Sequence, residues 1–161
     1  LAYRYFTYLS PAHRSRDATQ SAAYAIEPYV MAGDVYSQPP YVGRGGWSWY
    51  TGAAAWMHRA AVESLFGLQL GAHELCFVPC LPSHWQRAEL TLRRDGRSLR
   101  FVLVRADAQA ALAATADLGA RLLRRGEALH WPGLAADTCF VIPLLDEPHA
   151  APMQAAAAAT A

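Results

Sequence analysis

The chain has 161 residues, 53% hydrophobic and 17% charged, with a formal net charge of +1. That balance excludes a disordered charged tail and a protein working mainly through nucleic-acid electrostatics, because both need a large charge imbalance. The length fits one domain with a real core, or two pieces each near the lower limit of independent stability.

Leu1 to Tyr8 begins inside an apolar-aromatic pattern with no capping residue before it, which predicts a fragment of a longer chain. Asp17 is placed to cap a short helix running to Ile26, and Glu27-Pro28 restarts the backbone because proline disfavours helix at the residue before it. From Ser37 to Gly46, two prolines and three glycines forbid regular structure. A long glycine-rich loop in a compact region is usually functional or mobile. Thr51 then reads as an N-cap. Trp56, Ala60 and Leu65 recur with Met57, Ala61 and Phe66 at helical spacing, up to a stop at Gly67. The pattern predicts a helix packed inside a larger helical assembly.

Strand character follows. Glu74 to Val78 is a short apolar run closed by Pro79, and Pro82 with Trp85 marks a turn. Ala88 to Arg93 alternates, Asp95-Gly96 supplies a hairpin turn, and Leu99 to Arg105 returns. Ala106 to Gly119 is ambiguous, since alanine favours helix while its neighbours favour sheet. Arg121 to Trp131 is expected to form a further hairpin through Arg125-Gly126-Glu127, and Thr138 to Ile142 a last strand. The tail, with its tract Ala155 to Ala159, reads as disordered or as a frayed helix.

Residue usage adds three points. All 14 basic residues are arginine, a skew read as a bias of the coding DNA. All eight tyrosines lie between Tyr3 and Tyr50, which predicts two regions of different character. Cys76, Cys80 and Cys139 lack zinc-type spacing and read as small buried hydrophobes in a reducing compartment. No secretory signal precedes the pattern, and no apolar run approaches the ~20 residues of a membrane span, so the segment reads as soluble.

Chemistry is best placed at Gly45-Gly46-Trp47-Ser48-Trp49-Tyr50-Thr51-Gly52. Glycines let backbone amides approach a ligand, Thr51 adds a hydroxyl, and the start of the following helix offers unpaired N–H groups with partial positive charge. Arg44 lies a few residues away with a full charge, so the combination suits an anion such as phosphate. Trp47, Trp49 and Tyr50 give flat faces on which sugar rings stack. A capped helix after a glycine loop, with aromatics in the core, reads the same residues without a ligand. A nucleotide P-loop is excluded, since GxxxxGK[ST] and any lysine are absent. His13, Arg14 and Arg16 form a basic cluster that also reads as a solvated loop. Glu27 and Asp34 bring a glycosidase carboxylate pair to mind, against a capping or salt-bridging role. The remaining histidines show no ligand spacing, and no serine or cysteine nucleophile motif occurs.

The string Glu27-Pro28-Tyr29-Val30, Asp34-Val35-Tyr36-Ser37, Pro39-Pro40, Gly43-Arg44-Gly45-Gly46-Trp47, Trp49-Tyr50-Thr51-Gly52 and Ala55-Trp56-Met57 resembles the end of the catalytic module in glycoside hydrolase family 94. Within that family it most resembles the C-terminal phosphorylase-like region of bacterial cyclic β-1,2-glucan synthases. The resemblance is dense from about residue 11 to 70 and looser to about 145, where Pro79-Cys80-Leu81-Pro82 and Trp85 fit the start of a terminal β-domain.

The resemblance implies an α+β chain: residues 1–70 as terminal helices and phosphate-side loop of an (α/α)6 barrel, the six-hairpin glycosidase architecture, and 71–147 as a jelly-roll-type β-sandwich. Residues 148–161 are expected from their composition to be an Ala-rich disordered tail. It also implies inverting phosphorolysis of a β-glucosidic bond, with phosphate as co-substrate and no other cofactor. The phosphate-binding Thr-Gly pair of cellobiose-type phosphorylases falls on Thr51 and Gly52. His13 and Arg14 lie where relatives place a polar pair, while the phosphate-holding glutamine of those enzymes is replaced by Gly33. The general acid is expected upstream of Leu1, so the chain alone is expected to be inactive and to need the rest of its parent. Asp34 does not take the acid's place. The implied partners are a β-glucan or gluco-oligosaccharide and phosphate, in a cytoplasmic segment whose parent is compatible with an inner-membrane anchor. A non-catalytic carbohydrate-binding or interaction module is the alternative.

Overall fold

A computed structural model describes residues 1–106 and 108–145. The predicted tail falls outside them. The described chain is mixed: helices first, then two packed sheets with one helix on their outer side.

Three short helices open the structure: α1 (Ala2–Leu9), α2 (Pro11–Arg14) and α3 (Ala18–Tyr24). Asp17 caps α3 as expected, its carboxylate accepting the Gln20 N–H at 2.8 Å, and Ala25 ends the helix in the left-handed region. The loop that follows forms a two-residue antiparallel ribbon, β1 (Asp34–Val35) with β2 (Gly45–Gly46), in the register Asp34↔Gly46. Helix α4 (Thr51–Arg59) then continues into a π-helical segment, Ala60–Leu65. The sequence pattern predicted one regular helix to Gly67. The wider winding instead carries Val62, Leu65 and Phe66 toward the sheets, where Val62 and Phe66 pack on the main core.

The second half begins at β3 (Leu68–Leu70), within the last residues assigned from the sequence to the helical region. It pairs antiparallel with β4 (Glu74–Phe77). The hairpin β5 (Arg87–Arg94) and β6 (Arg97–Val104) forms as predicted around Asp95-Gly96, both at positive φ. The ambiguous alanine-rich stretch is helix α5 (Ala108–Leu118). It connects β6 to β7 (Arg121–Leu122), and β9 (Thr138–Pro143) fills the slot between them, parallel to both. Parallel strands require a crossover, and a helix of small side chains supplies one that lies close to the sheet.

That topology overturns the expected hairpin from Arg121 to Trp131. β7 joins the four-stranded sheet β5-β6-β9-β7, whereas β8 (Leu129–His130) joins the other, β3-β4-β8. Gly126 donates its N–H to Phe77 O at 2.8 Å, so the intervening turn bridges the two layers. The parallel pairs β6/β9 and β7/β9 also depart from the wholly antiparallel ladders of a jelly roll.

Side-chain alternation in β6 and β9 explains the two faces. Leu99, Phe101, Leu103, Phe140 and Ile142 point into the space between the sheets, where they meet Leu68, Leu75, Phe77 and Leu129. Phe101 lies 4.6 Å from Phe77 and 5.3 Å from Phe140 by ring centroids. Val102 and Val141 point the other way and pack on Ala111 of α5.

The helical part rests on this body through Tyr3, whose ring lies 5.6 Å from His84 and 5.4 Å from Trp85. It is joined covalently through Gly67. All three cysteines are free thiols, but they are less buried than expected: Cys80 is exposed, and Cys76 and Cys139 are half-buried. Among the described residues no helix is long and apolar enough to cross a membrane.

Candidate functional site at the start of α4

The ribbon β1/β2 fixes the loop that carries the candidate residues. Gly33 donates its N–H to the carbonyls of Gly46 and Trp47 at 2.9 and 3.0 Å, and Tyr50 N–H reaches Met31 O at 3.1 Å. The chain is thereby pinned on both sides of the aromatic triplet. A Cβ at Gly46 would overlap the Asp34 carboxylate, which would have to swing aside, and would lie 3.1 Å from the Tyr36 hydroxyl.

Thr51 is the first helical residue rather than the cap, a correction to the sequence reading. Tyr50 occupies the cap position without a side-chain bond. Ala54 N–H donates to Tyr50 O at 3.1 Å, closing the first turn. The N–H groups ahead of it, on Thr51, Gly52 and Ala53, therefore have no acceptor within the helix. Thr51 and Gly52 are exposed, so these donors and the Thr51 hydroxyl face solvent at the positive end of the helix dipole.

The aromatics are held unusually. Trp47 and Trp49 both sit at positive φ, 52° and 59°, where bulky residues are outliers costing about 1–3 kcal/mol each. Yet they are 78% and 63% exposed, so burial does not repay the strain. Specific contacts do hold the rings. Trp47 lies 5.2 Å from Tyr50, and Trp49 lies 6.1 Å from Tyr29 in an edge-on arrangement. Trp49 Nε1–H donates to Glu27 Oε1 at 3.0 Å. Glu27 in turn is held below its ordinary range, chiefly by its own backbone N–H and then by the Trp49 indole. The expected capping or salt-bridging role of Glu27 is thus replaced by anchoring a tryptophan 22 positions away, a pairing that local spacing does not signal.

The remaining predicted residues lie apart from this point. The Arg44 guanidinium turns over the Tyr41 ring at 5.7 Å and makes no ion pair among the described residues. His13 is used internally: its Nε2 lies 3.3 Å from the Tyr3 hydroxyl and its Nδ1 3.1 Å from Ser10 Oγ. Burial and the Arg16 charge lower its pKa, favouring the neutral ring. Arg14 donates from Nε to Tyr8 O at 2.6 Å. No hydrogen bond or ion pair joins His13 or Arg14 to Arg44, Thr51 or Gly52 among the described residues. No group of three or more metal-ligating side chains occurs among the described residues.

The segment that carries these residues is similar to known proteins. Residues 1–67 match the family model described as the Glycosyl hydrolase 94 superfamily, catalytic domain. The chain is 38% identical over 104 residues to the cyclic beta-(1,2)-glucan synthase NdvB of Rhizobium meliloti (strain 1021), covering 65% of this chain and 4% of that protein. It is 32% identical over 79 residues to the solabiose phosphorylase of Paenibacillus borealis, covering 48% of this chain and 10% of that protein. The chain therefore spans a small part of the length of the curated relatives it matches. The first alignment is longer than the family match, so similarity to the synthase reaches beyond residues 1–67. The family match runs from α1 through the aromatic loop to the end of the π-helical segment, so it is residues 1–67 that are similar to the glycosyl hydrolase 94 catalytic domain.

Proposed function

We propose that this chain supplies the phosphate side and part of the sugar side of the cleft in an inverting β-glucan phosphorylase or cyclic β-1,2-glucan synthase type of enzyme. The observation that carries the reading is a coincidence of place. The family match covers the aromatic loop and the whole of α4, and the start of that helix presents free backbone donors, the Thr51 hydroxyl and exposed aromatic faces together.

In this reading the N–H groups of Gly52 and its neighbours, with Thr51 Oγ1, hold an inorganic phosphate. Arg44, without an ion pair of its own, adds charge by swinging from the Tyr41 ring. Trp47, Trp49 and Tyr50 stack the sugar. Phosphate oxygen attacks the anomeric carbon from the face opposite the leaving oxygen. The C–O glycosidic bond breaks as the new C–O bond forms, with inversion, and an aspartic acid outside this chain delivers the proton to the leaving oxygen. The chain's own contribution is positioning and electrostatic complementarity to the phosphate. His13 and Arg14 act at one remove, supporting the α1–α2 corner. A terminal (α/α)6 barrel segment followed by a β-domain is the corresponding architecture, in a cytoplasmic part of the parent.

Phosphate titration monitored by 1H–15N spectra tests this. The Thr51, Gly52 and Ala53 amides are expected to shift in the 161-residue chain, and Thr51→Ala to weaken binding by about tenfold, the worth of one hydrogen bond to a charged group. Sugar binding that proceeds without any phosphate effect, unchanged by Thr51→Ala, would favour a non-catalytic glycan-binding module. The same exposed tryptophans support that second reading.

A further inference from the structure

Beside the α4 site lies an open hollow of about 570 Å³, walled by the loop from Asp34 to Tyr41. The residues that line it include the polar Asp34, Ser37 and Gln38 and the flat Tyr36 and Tyr41 with two prolines. We propose that this hollow is a further carbohydrate subsite, taking one neutral glucosyl unit of a glucan between the Asp34 carboxylate and the Tyr36 and Tyr41 rings. The proposal rests on the carbohydrate role of the adjoining loop and adds a binding position to it.

Three observations carry it. The two tyrosine rings lie 6.2 Å apart, tilted by 60°, so they present an angled apolar wall and not a collapsed pair. The backbone behind them is fixed: Tyr36 N–H donates to Arg44 O at 2.9 Å, Gly43 N–H to Tyr36 O at 2.8 Å, and Tyr41 N–H to Gln38 O at 3.0 Å. The wall therefore exists before a ligand arrives, which lowers the ordering cost of binding. The Asp34 carboxylate makes no ion pair among the described residues, and it occupies the space that the missing side chain of Gly46 leaves.

Charge selects the ligand class. A cation suits a tyrosine wall, but the Arg44 guanidinium already lies over the Tyr41 ring at 5.7 Å and repels a second positive charge. An anion is opposed by Asp34. A neutral polyol escapes both. Its hydroxyls donate to the carboxylate in charge-assisted bonds, its C–H face stacks on a ring, and Gln38 and Ser37 supply donors for the remaining oxygens.

The test uses 1H–15N spectra of the 161-residue chain with two probes, a linear β-1,2-gluco-oligosaccharide without phosphate, and inorganic phosphate alone. The sugar is expected to shift the amides of Tyr36, Ser37, Gln38 and Tyr41. Asp34→Asn, which keeps the side-chain shape, and Tyr41→Ala are each expected to weaken it about fivefold or more. Both positions are exposed, and the same spectra verify the fold. If the sugar shifts only residues 47–50, or affinity is unchanged in both variants, the subsite is refuted while the α4 reading stands. If the sugar shifts residues 36–41 and phosphate leaves Thr51 to Ala53 unmoved, the subsite stands and the phosphate reading falls. If neither probe shifts any of these amides, both are refuted.

Discussion

Gly67 joins the part of the chain that carries the candidate site to the sheet body, and its replacement by alanine tests how rigid that junction is. Its φ is +74°, and a Cβ would overlap the Val78 carbonyl and lie 2.6 Å from Pro79 N. Gly126 has the same φ of +74° but nothing within 4 Å of an added Cβ. The two positions share the left-handed penalty, about 1–2 kcal/mol for alanine. Part of it is offset by the reduced freedom of the unfolded chain, about 0.4–1 kcal/mol. Gly126→Ala should therefore cost about 1 kcal/mol. At Gly67 the overlap is with backbone, which cannot swing aside. Relief requires moving β4 away, losing the bond from Val78 N–H to Gly67 O at 2.8 Å and straining that from Cys80 N–H to Leu65 O at 2.9 Å. At about 1 kcal/mol for each bond, plus lost packing of Phe66, Gly67→Ala should cost about 3–4 kcal/mol. For a chain of this size that corresponds to about 10 °C in Tm, against about 3 °C for Gly126→Ala. Urea denaturation followed by far-UV circular dichroism gives both values. Equal midpoints for the two variants would refute the steric argument.

Two pH predictions follow from the site. The His13 NMR titration should have its midpoint below 6.5, because burial and then the Arg16 charge disfavour the imidazolium. A histidine with a lowered folded pKa leaves stability unaffected above 6.5 and erodes it as pH falls below 6.5 toward the folded value. The urea-midpoint advantage over His13→Gln should shrink across that window, and a constant advantage would refute it. Glu27 is depressed below 4.5 by its own N–H and by Trp49, so its contribution is complete above 4.5 and lost as pH falls through the lower folded value. The Trp49 emission, obtained as the difference from Trp49→Phe, should keep its neutral-pH form below pH 4.5 before changing. In Glu27→Gln that acid transition should be absent.

Local signals were read correctly where one short segment decides the outcome. Asp17 announces a helix start because its carboxylate meets an amide three residues on, and Asp95-Gly96 announces a hairpin because both residues tolerate positive φ. The family pattern over residues 1–67 was equally visible, being carried by an ordered string of glycines and aromatics. Where distant segments compete, the sequence was ambiguous or misleading. Arg121 to Trp131 has hairpin chemistry, yet β7 pairs with β9 and β8 with β4, partners far away in the chain that local turn chemistry does not signal.

The site divides in the same way. Sequence alone determined that a glycine loop, an aromatic triplet and Thr51-Gly52 adjoin a helix start. Only the tertiary structure decided that His13 is occupied by Ser10 and Tyr3, that Glu27 holds Trp49, and that Asp34 and two tyrosines wall a hollow. The physical reason is range. Capping and turn preferences act over three or four residues, whereas a strained tryptophan or a free carboxylate is set by partners brought close only when the chain has folded.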